Sequence, residues 1–509
     1  MSVAFEELVR GFEWKIPEVY NVGEALCHRG ASNKLGDALV YVDNLWNSYT
    51  FSFSWLNGQS NRLANALTSD GLSAGDRVAV ILPPSVESAI AHLAILKAGM
   101  ISVPLPTTSG KADIAQKLES AGVAAILTTA GIREASLQGG EGMTTHRLYI
   151  LIEDEDAAPG AHLNDLLAEN SNKFAAVPTT VSTPAFISFT SGSEGLPKGV
   201  LQGHGLVLGI LPAFHFSKIP RPGERVWSSF DWGWLGGLLV ALGSWHFGAT
   251  IVIQRQERIV PSRTLRLLRE FHVSRISVSP TALKLLRLAS KDEEFPTLVS
   301  LTIGGERLEP ELREWARRKF GTDVSEMYGL TECSGVMGSG HILPVKPGAI
   351  GKPAPGQTLC ILDEDGNPQA NGDAGFIAVK SPHPAMFIGY WQDEPATRAK
   401  FCGPWLLTGD LGYRDDDGYF WYVGRADDVI TCGGRRIGPG EIEAAFAEMA
   451  EVRLCAAIGV PHEMSNERIV GWVELKERAA VSSNSGKARH QSGQGLVSLP
   501  SPRHCQNCR

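Results

Sequence analysis

The stretch DRVAVILPPSVESAIAHLAILKAGMISVPL, residues 76–105, decides the fold class. Residues 76–82 form a short run rich in β-branched side chains that stops at Pro83-Pro84, where a ladder cannot continue. From Ser85 to Ala98 the apolar residues Val86, Ile90, Leu93 and Leu96 recur at helical spacing. Residues 101–105 are strand-like again. Strand, helix and strand in this order make a β-α-β unit, with parallel strands and the helix laid over the sheet. The theme recurs in the apolar runs 124–127, 147–151, 185–189, 250–253 and 298–303. Short apolar strands of this kind are buried on both faces. The expected fold class is therefore α/β, with parallel or mixed sheets and covering helices in a large N-terminal domain.

After Gly348 the texture changes. Glycines and prolines become dense, and the turn pairs Asp365-Gly366 and Asp417-Gly418 separate close-spaced strands, which reads as a β-rich subdomain of hairpins. Residues 441–450 are helical in pattern, and 455–460 and 469–473 are strand-like. A boundary is expected near Gly424-Arg425. It divides a large domain, 1–424, from a small α+β C-terminal domain, 425–480. Residues 481–509 are rich in Ser, Gly and Gln without periodicity and read as a disordered or aberrant tail.

The 509 residues suffice for two or more domains, and 43% hydrophobic with 20% charged residues is ordinary for a soluble globular protein. A net charge of −8 provides no basic field, so nucleic acid is not an expected partner and any phosphates must be met by local groups. The eight cysteines are scattered, with no disulfide framework, and fit a reducing cytoplasm. Cys505 and Cys508 are a lone pair without the further ligands of a zinc site. The N-terminus lacks the layout of a signal peptide. Residues 233–253 approach the length of a bilayer span, but Ser244, His246 and several glycines make them a buried helix, turn and strand instead, so no membrane span is expected.

The chemistry is concentrated in Phe189-Thr190-Ser191-Gly192-Ser193-Glu194-Gly195-Leu196-Pro197-Lys198-Gly199. Glycines let backbone N–H groups turn inward toward an anion, hydroxyls add donors and a lysine adds a point charge. This is a phosphate grip, yet not a Walker A loop, because Leu196-Pro197 separates Gly195 from Lys198. Further along stand Gly304-Gly305-Glu306 after a strand-like run, then Glu326-Met327-Tyr328-Gly329-Leu330-Thr331-Glu332. Beyond them are Leu407-Thr408-Gly409-Asp410, Gly424-Arg425-Ala426-Asp427-Asp428 and Gly433-Gly434-Arg435-Arg436-Ile437-Gly438-Pro439-Gly440. In an open parallel sheet, ligands sit beyond the carboxyl ends of the strands, where a glycine pair lets a flat ring lie against the backbone.

In this order, over residues 45–476, the motifs resemble those of the AMP-forming adenylate synthetases, the family of acyl-CoA synthetases, luciferases and peptide-synthetase adenylation domains. The resemblance implies that Thr190, Ser191, Gly192, Ser193, Glu194, Gly195 and Lys198 hold the phosphates of ATP. Glu194 departs from the small hydroxyl residue usual there. Gly304, Gly305, Glu306, Glu326, Tyr328 and Gly329 are implied for the nucleotide, Thr331 for the α-phosphate and Glu332 for Mg2+. Asp410 is implied for the ribose, Arg425 for the ribose or phosphate, Asp427 for a hinge, and Gly433, Gly434 and Arg435 for the pantetheine arm of CoA. The candidate catalytic residues are Lys198, Thr331, Glu332 and Arg436. Arg435 and Gly440 depart from the family, which has an aromatic residue or histidine and a bulky residue at those places.

Asp231-Trp232-Gly233-Trp234-Leu235-Gly236-Gly237 falls where the family builds its acyl pocket, so Trp234, Leu235, Gly236 and Gly329 are expected to line it. Acetate- and propionate-specific relatives close that pocket with a tryptophan at the place of Gly329. Glycine here implies a longer acid, and Arg436-Ile437-Gly438-Pro439 looks like the medium-chain acyl-CoA synthetases. The implied reaction joins a small carboxylic acid to AMP from ATP and then transfers the acyl group to CoA. Two alternatives stay open: amino-acid activation, with Asp231 as the anchor of an amine, and a nucleotide- or acyl-binding protein that adenylates poorly. The second follows from the C-terminus, where the family carries a lysine within a Pro-Lys-Thr-x-x-Gly-Lys-like motif. Ser485-Gly486-Lys487 is similar but too near Arg425, so a truncated or altered C-terminal domain with weak adenylation is expected.

Overall fold

The computed structural model describes residues 3–32, 36–137, 147–153, 159–190, 197–254, 259–306, 308–426, 428, 430–432, 435–437, 439, 442–443, 446, 449, 451–462, 466–476, 489–491 and 494–498. The opening unit folds as read. Arg77–Ile81 and Ile101–Pro104 are parallel neighbours joined by the helix Val86–Lys97. Ser85 caps that helix by accepting from the Ser88 N–H at 3.1 Å. All twelve residues of the helix are buried, which explains why its apolar stripe runs nearly all round.

The chain divides into two compact units, one of Met1–Thr358 with Ser381–Ala399, the other of Leu359–Lys380 with Lys400–Arg509. The first unit holds two sheets. One is seven-stranded, in the order Gly389–Tyr390, Lys198–Gly203, Pro184–Thr190, Ile101–Pro104, Arg77–Ile81, Ala125–Thr129, Arg147–Ile152. Its last five strands are parallel, and Lys198–Gly203 turns back antiparallel on Pro184–Thr190. In the other sheet Thr250–Gln254, Arg225–Ser228, Arg275–Val278, Ser300–Gly304 and Val324–Leu330 run parallel. Val324–Leu330 then turns into the antiparallel strand Cys333–Ser339.

The span-like stretch resolves into the helix Leu235–His246 and the strand Thr250–Gln254. Trp232 and Trp245 are buried, and the Trp245 indole donates to the Ala38 carbonyl at 2.9 Å. Among the described residues no helix is long and apolar enough to cross a membrane.

In the second unit Leu359–Leu362, Gly375–Lys380, Trp405–Arg414 and Phe420–Arg425 form antiparallel neighbours, the hairpins expected after Gly348. Gly366 and Gly418 take the positive φ of 84° and 82° that their turns need. Val452–His462 and Asn466–Leu475 pair as a long hairpin. The tail, read from composition as unstructured, contributes the strand Gln494–Ser498 along Asn466–Leu475, with Arg489–Gln491 beside it. An open strand edge with unpaired N–H and C=O groups recruits even a weakly patterned segment. Ser485-Gly486-Lys487, Cys505 and Cys508 lie outside the described residues.

Three buried histidines in the first unit make the fold acid-sensitive. His204 Nδ1 accepts from the Val22 N–H at 3.1 Å and His383 Nδ1 from the Ala385 N–H at 3.0 Å, so each ring must stay neutral. His92 sits 2.8 Å from the Ser102 hydroxyl. Burial lowers His92 from 6.5 to about 3, and His204 and His383 to about 4. Each ring binds a proton more weakly when folded, so the unfolded chain takes up more protons. The stability held above pH 6.5 is then lost as pH falls from 6.5 toward 4. The urea midpoint should fall steadily between about pH 7 and 4.5, and His92→Gln should reduce that slope.

Candidate active site

The carboxyl ends of three parallel strands open into one cavity of about 320 Å3. Gly304 and Gly305 form its edge at the end of Ser300–Gly304. Gly305 has φ 85°, a conformation that a side chain rarely adopts, which leaves the backbone bare where the chain leaves the sheet. Tyr328, Gly329 and Thr331 come from Val324–Leu330 and the turn after it. The opposite wall is apolar, built from Ile210, Phe214, Phe230, Leu235, Leu239 and Val240. A polar, glycine-edged mouth thus adjoins an apolar chamber, the layout of a small-molecule site.

Seven of the expected residues therefore meet here: Leu235, Gly236, Gly304, Gly305, Tyr328, Gly329 and Thr331. Others are placed elsewhere. Trp234 caps the helix Leu235–His246 and is 51% exposed, outside the lining. Glu326 is tied to the Arg313 guanidinium in a partly buried ion pair. Glu306 is exposed and accepts from the Thr281 hydroxyl at 2.8 Å. Asp231 also lies outside the lining. Its Oδ1 accepts from the Gly233 N–H at 2.6 Å, while burial pushes its carboxyl above the usual range. It shapes the turn into the helix, so the amine-anchoring alternative finds no partner in the cavity.

Gly329 has a second reason to be glycine. A Cβ there would come within 2.5 Å of the Gly335 backbone nitrogen and 3.1 Å of Ser334 Cα. The returning strand passes too close for any side chain, so the hairpin by itself keeps this wall open.

Thr190 and Lys198 face each other across the hairpin of Pro184–Thr190 and Lys198–Gly203. The phosphate-loop residues Ser191, Gly192, Ser193, Glu194 and Gly195 lie between them, outside the described residues. Gln202, on the same strand as Lys198, donates from Nε2 to the Thr331 carbonyl at 2.7 Å. The Phe387 N–H donates to the Glu332 carbonyl at 2.7 Å, and the Tyr390 hydroxyl donates to Glu332 Oε1 at 2.5 Å. Lys198 Nζ stands 5.5 Å from the centre of the Tyr390 ring. Tyr390 and Gln202 thus connect Lys198, Thr331 and Glu332, and the motifs did not reveal them. A glycine and an aromatic residue at Gly389-Tyr390 are too common a pair to carry the signal.

Glu332 is 7% exposed and offers hard carboxylate oxygen to a cation. No cluster of three or more metal-ligating side chains occurs among the described residues, so a Mg2+ at Glu332 needs substrate phosphates to complete its shell. Within the second unit, Arg425 Nη1 donates to Asp410 Oδ1 at 3.3 Å. The guanidinium lies over Gly409, where φ is 88° and a Cβ would meet it at 3.2 Å. The Asp410 N–H donates to the Thr408 hydroxyl at 3.1 Å, which fixes the backbone that carries the carboxylate. Arg435 and Arg436 belong to the strand Arg435–Ile437, paired with Ile430–Cys432. Their side chains, and Gly433, Gly434 and Asp427, lie outside the description.

Residues 28–391 match the AMP-binding enzyme family. The chain is 31% identical over 450 residues to an uncharacterized acyl-CoA ligase, YtcI, of Bacillus subtilis (strain 168), across 86% of this chain and 83% of the relative. It is 29% identical over 486 residues to the mitochondrial acyl-coenzyme A synthetase ACSM3 of Mus musculus, across 92% and 83%. The crystal structure of a Brucella canis acyl-CoA synthetase superposes with a TM-score of 0.76 at 26% identity, covering 94% of this chain and 90% of that one. With its family match spanning most of its length and its cavity at the carboxyl ends of the parallel strands, the chain belongs to the AMP-binding enzyme family.

Proposed function

We propose that the protein is an AMP-forming acid–thiol ligase that takes ATP, Mg2+, CoA and a medium-chain carboxylic acid. The observation that carries this is the single cavity in which Gly304, Gly305, Tyr328 and Thr331 adjoin the wall of Phe214, Leu235, Leu239 and Val240. The first group suits a nucleotide and its phosphate, the second an alkyl chain. The likeness of Arg436-Ile437-Gly438-Pro439 to the medium-chain acyl-CoA synthetases supports the medium chain length, as does the open wall at Gly329. An apolar pocket discriminates by only about 1–3 kcal/mol per methylene, so neighbouring lengths should all react.

In the proposed reaction a carboxylate oxygen attacks the α-phosphorus of ATP. The new P–O bond forms as the bond to pyrophosphate breaks, which leaves acyl-AMP. The CoA sulfur then attacks the acyl carbon and AMP departs. Both steps depend on placement and charge neutralisation. We assign Lys198 to the phosphates, with its ammonium steadied over the Tyr390 ring. Thr331 meets the α-phosphate from a turn braced by Gln202. Bound Mg2+ supplies further neutralisation of phosphate oxygen, and Glu332 is the side chain that holds it. Tyr390 fixes one oxygen of that carboxylate and so orients the other. We assign Asp410 and Arg425 to the ribose, and Arg436 with the Gly433-Gly434-Arg435 turn to CoA, on the family resemblance alone. A cytoplasmic setting fits the free thiols of Cys27, Cys333, Cys360, Cys402 and Cys455.

Pyrophosphate release should require both Mg2+ and an acid longer than propionate, and acyl-CoA should form from supplied acyl-AMP when CoA is added. Calorimetry that detects no uptake of magnesium-ATP would overturn the proposal. Tyr390→Phe should raise the Mg2+ concentration for half-maximal ATP uptake about tenfold, through loss of one charge-assisted hydrogen bond. Gly329→Ala should lower stability by about 1–3 kcal/mol, measured by urea unfolding, because its Cβ displaces backbone.

A further inference from the structure

The apolar chamber has a polar end. Arg275–Val278 and Ser300–Gly304 are parallel neighbours with Ser277 opposite Thr302. In both strands these are the residues left partly open while the positions on either side are buried, so their side chains stand together on the cavity face. Ser277 and Thr302, with Phe214, Val240 and Met327, line the main cavity and also a second chamber of about 60 Å3. That volume accommodates one or two polar heavy atoms.

The far wall of the small chamber includes Ser217, Ser244, Arg275 and Ser300. Most of its polar groups are already engaged. Arg275 Nε donates to Glu224 Oε2 at 2.6 Å, Nη1 to the carbonyls of Ser217 and Lys218, and Nη2 to the Ile219 carbonyl at 3.0 Å. The Ser300 hydroxyl donates to the Ser217 carbonyl at 2.6 Å, and the Ser217 hydroxyl to the Phe214 carbonyl at 3.3 Å. Ser244 differs. It is 1% exposed, and its Oγ has no hydrogen-bond partner among the described residues. A serine inside a helix ordinarily bonds back to the carbonyl one turn earlier. A buried hydroxyl left unpaired is destabilising and calls for a partner.

We infer that the acid carries a neutral oxygen function, a hydroxyl or an oxo group, at the end far from its carboxylate, and that this group enters the small chamber to hydrogen-bond with Ser244 Oγ. A terminal methyl in that place would leave the hydroxyl unpaired. A second carboxylate is excluded because Arg275 is spent on Glu224 and backbone carbonyls and offers no compensating charge. The inference deepens the proposed function and rests on the cavity being the acid site.

The test is a panel of matched acids from about six to ten carbons: unsubstituted, terminally hydroxylated, oxo-substituted next to the terminal carbon, and dicarboxylic. Each is assayed by pyrophosphate release and by calorimetric binding beside a non-hydrolysable ATP analogue. At one chain length the hydroxy or oxo acid should exceed the unsubstituted acid about tenfold or more in kcat/KM, and the dicarboxylic acid should be worst. Ser244→Ala should collapse that ratio toward one in both readouts. Its thermal midpoint should equal or exceed that of the native protein, since alanine favours helix and removes an unpaired group. Preference for the unsubstituted acid at every length, or a ratio unmoved by Ser244→Ala, overturns the inference while the ligase assignment stands. Absence of magnesium-ATP uptake overturns the ligase assignment and the inference with it.

Discussion

The in-register parallel pairing of Arg275–Val278, Ser300–Gly304 and Val324–Leu330 is the constraint on which the site depends. Ile276 and Val278 pair with Leu301 and Ile303, all buried, and a slip of one residue would turn this apolar face outward. The same register sets Ser277 beside Thr302 and Gly304 beside Met327. It also ends the strands together, so that Gly304, Gly305 and Tyr328 surround one opening. The strength of the core thereby fixes the position of the polar groups, which could not hold their places by their own hydrogen bonds.

A second set of contacts joins the two sheets of the first unit. Gly389–Tyr390 pairs antiparallel with Lys198–Gly203 at one edge of the seven-stranded sheet. The Phe387 N–H, just before it, reaches the Glu332 carbonyl in the turn after the other sheet's Val324–Leu330. Gln202 and Thr331 make a parallel tie. The strand that begins at Lys198 and the hairpin that carries Thr331 and Glu332 are therefore held to each other through backbone carbonyls, one met by a backbone N–H and the other by the Gln202 side chain. Side chains so braced lose little further freedom when a ligand arrives, which favours binding and catalysis.

The sheets, the β-α-β unit and the hairpins of the second unit were legible because each is signalled by local pattern. So was the order of the motifs, and with it the family. Side-chain roles were legible only in part. Glu326 and Glu332 stand six residues apart in one motif, yet one is neutralised by Arg313 and the other meets Tyr390. Trp234 looked like a pocket wall but faces outward at a helix cap.

By itself the sequence determined the α/β class, the positions of the strands and the glycine-edged motifs at their ends. Alternation, helical spacing and turn residues act over a few neighbours and need no fold to be read. Tertiary structure alone decided which groups face the cavity and which are already satisfied. Tyr390 and Glu332 are 58 residues apart in the chain, and the Ser244 hydroxyl, unpaired among the described residues, becomes visible only once the bonds of the polar groups around it have been assigned. A polar group's role depends on its partners and its access to solvent, and both are properties of the packed chain.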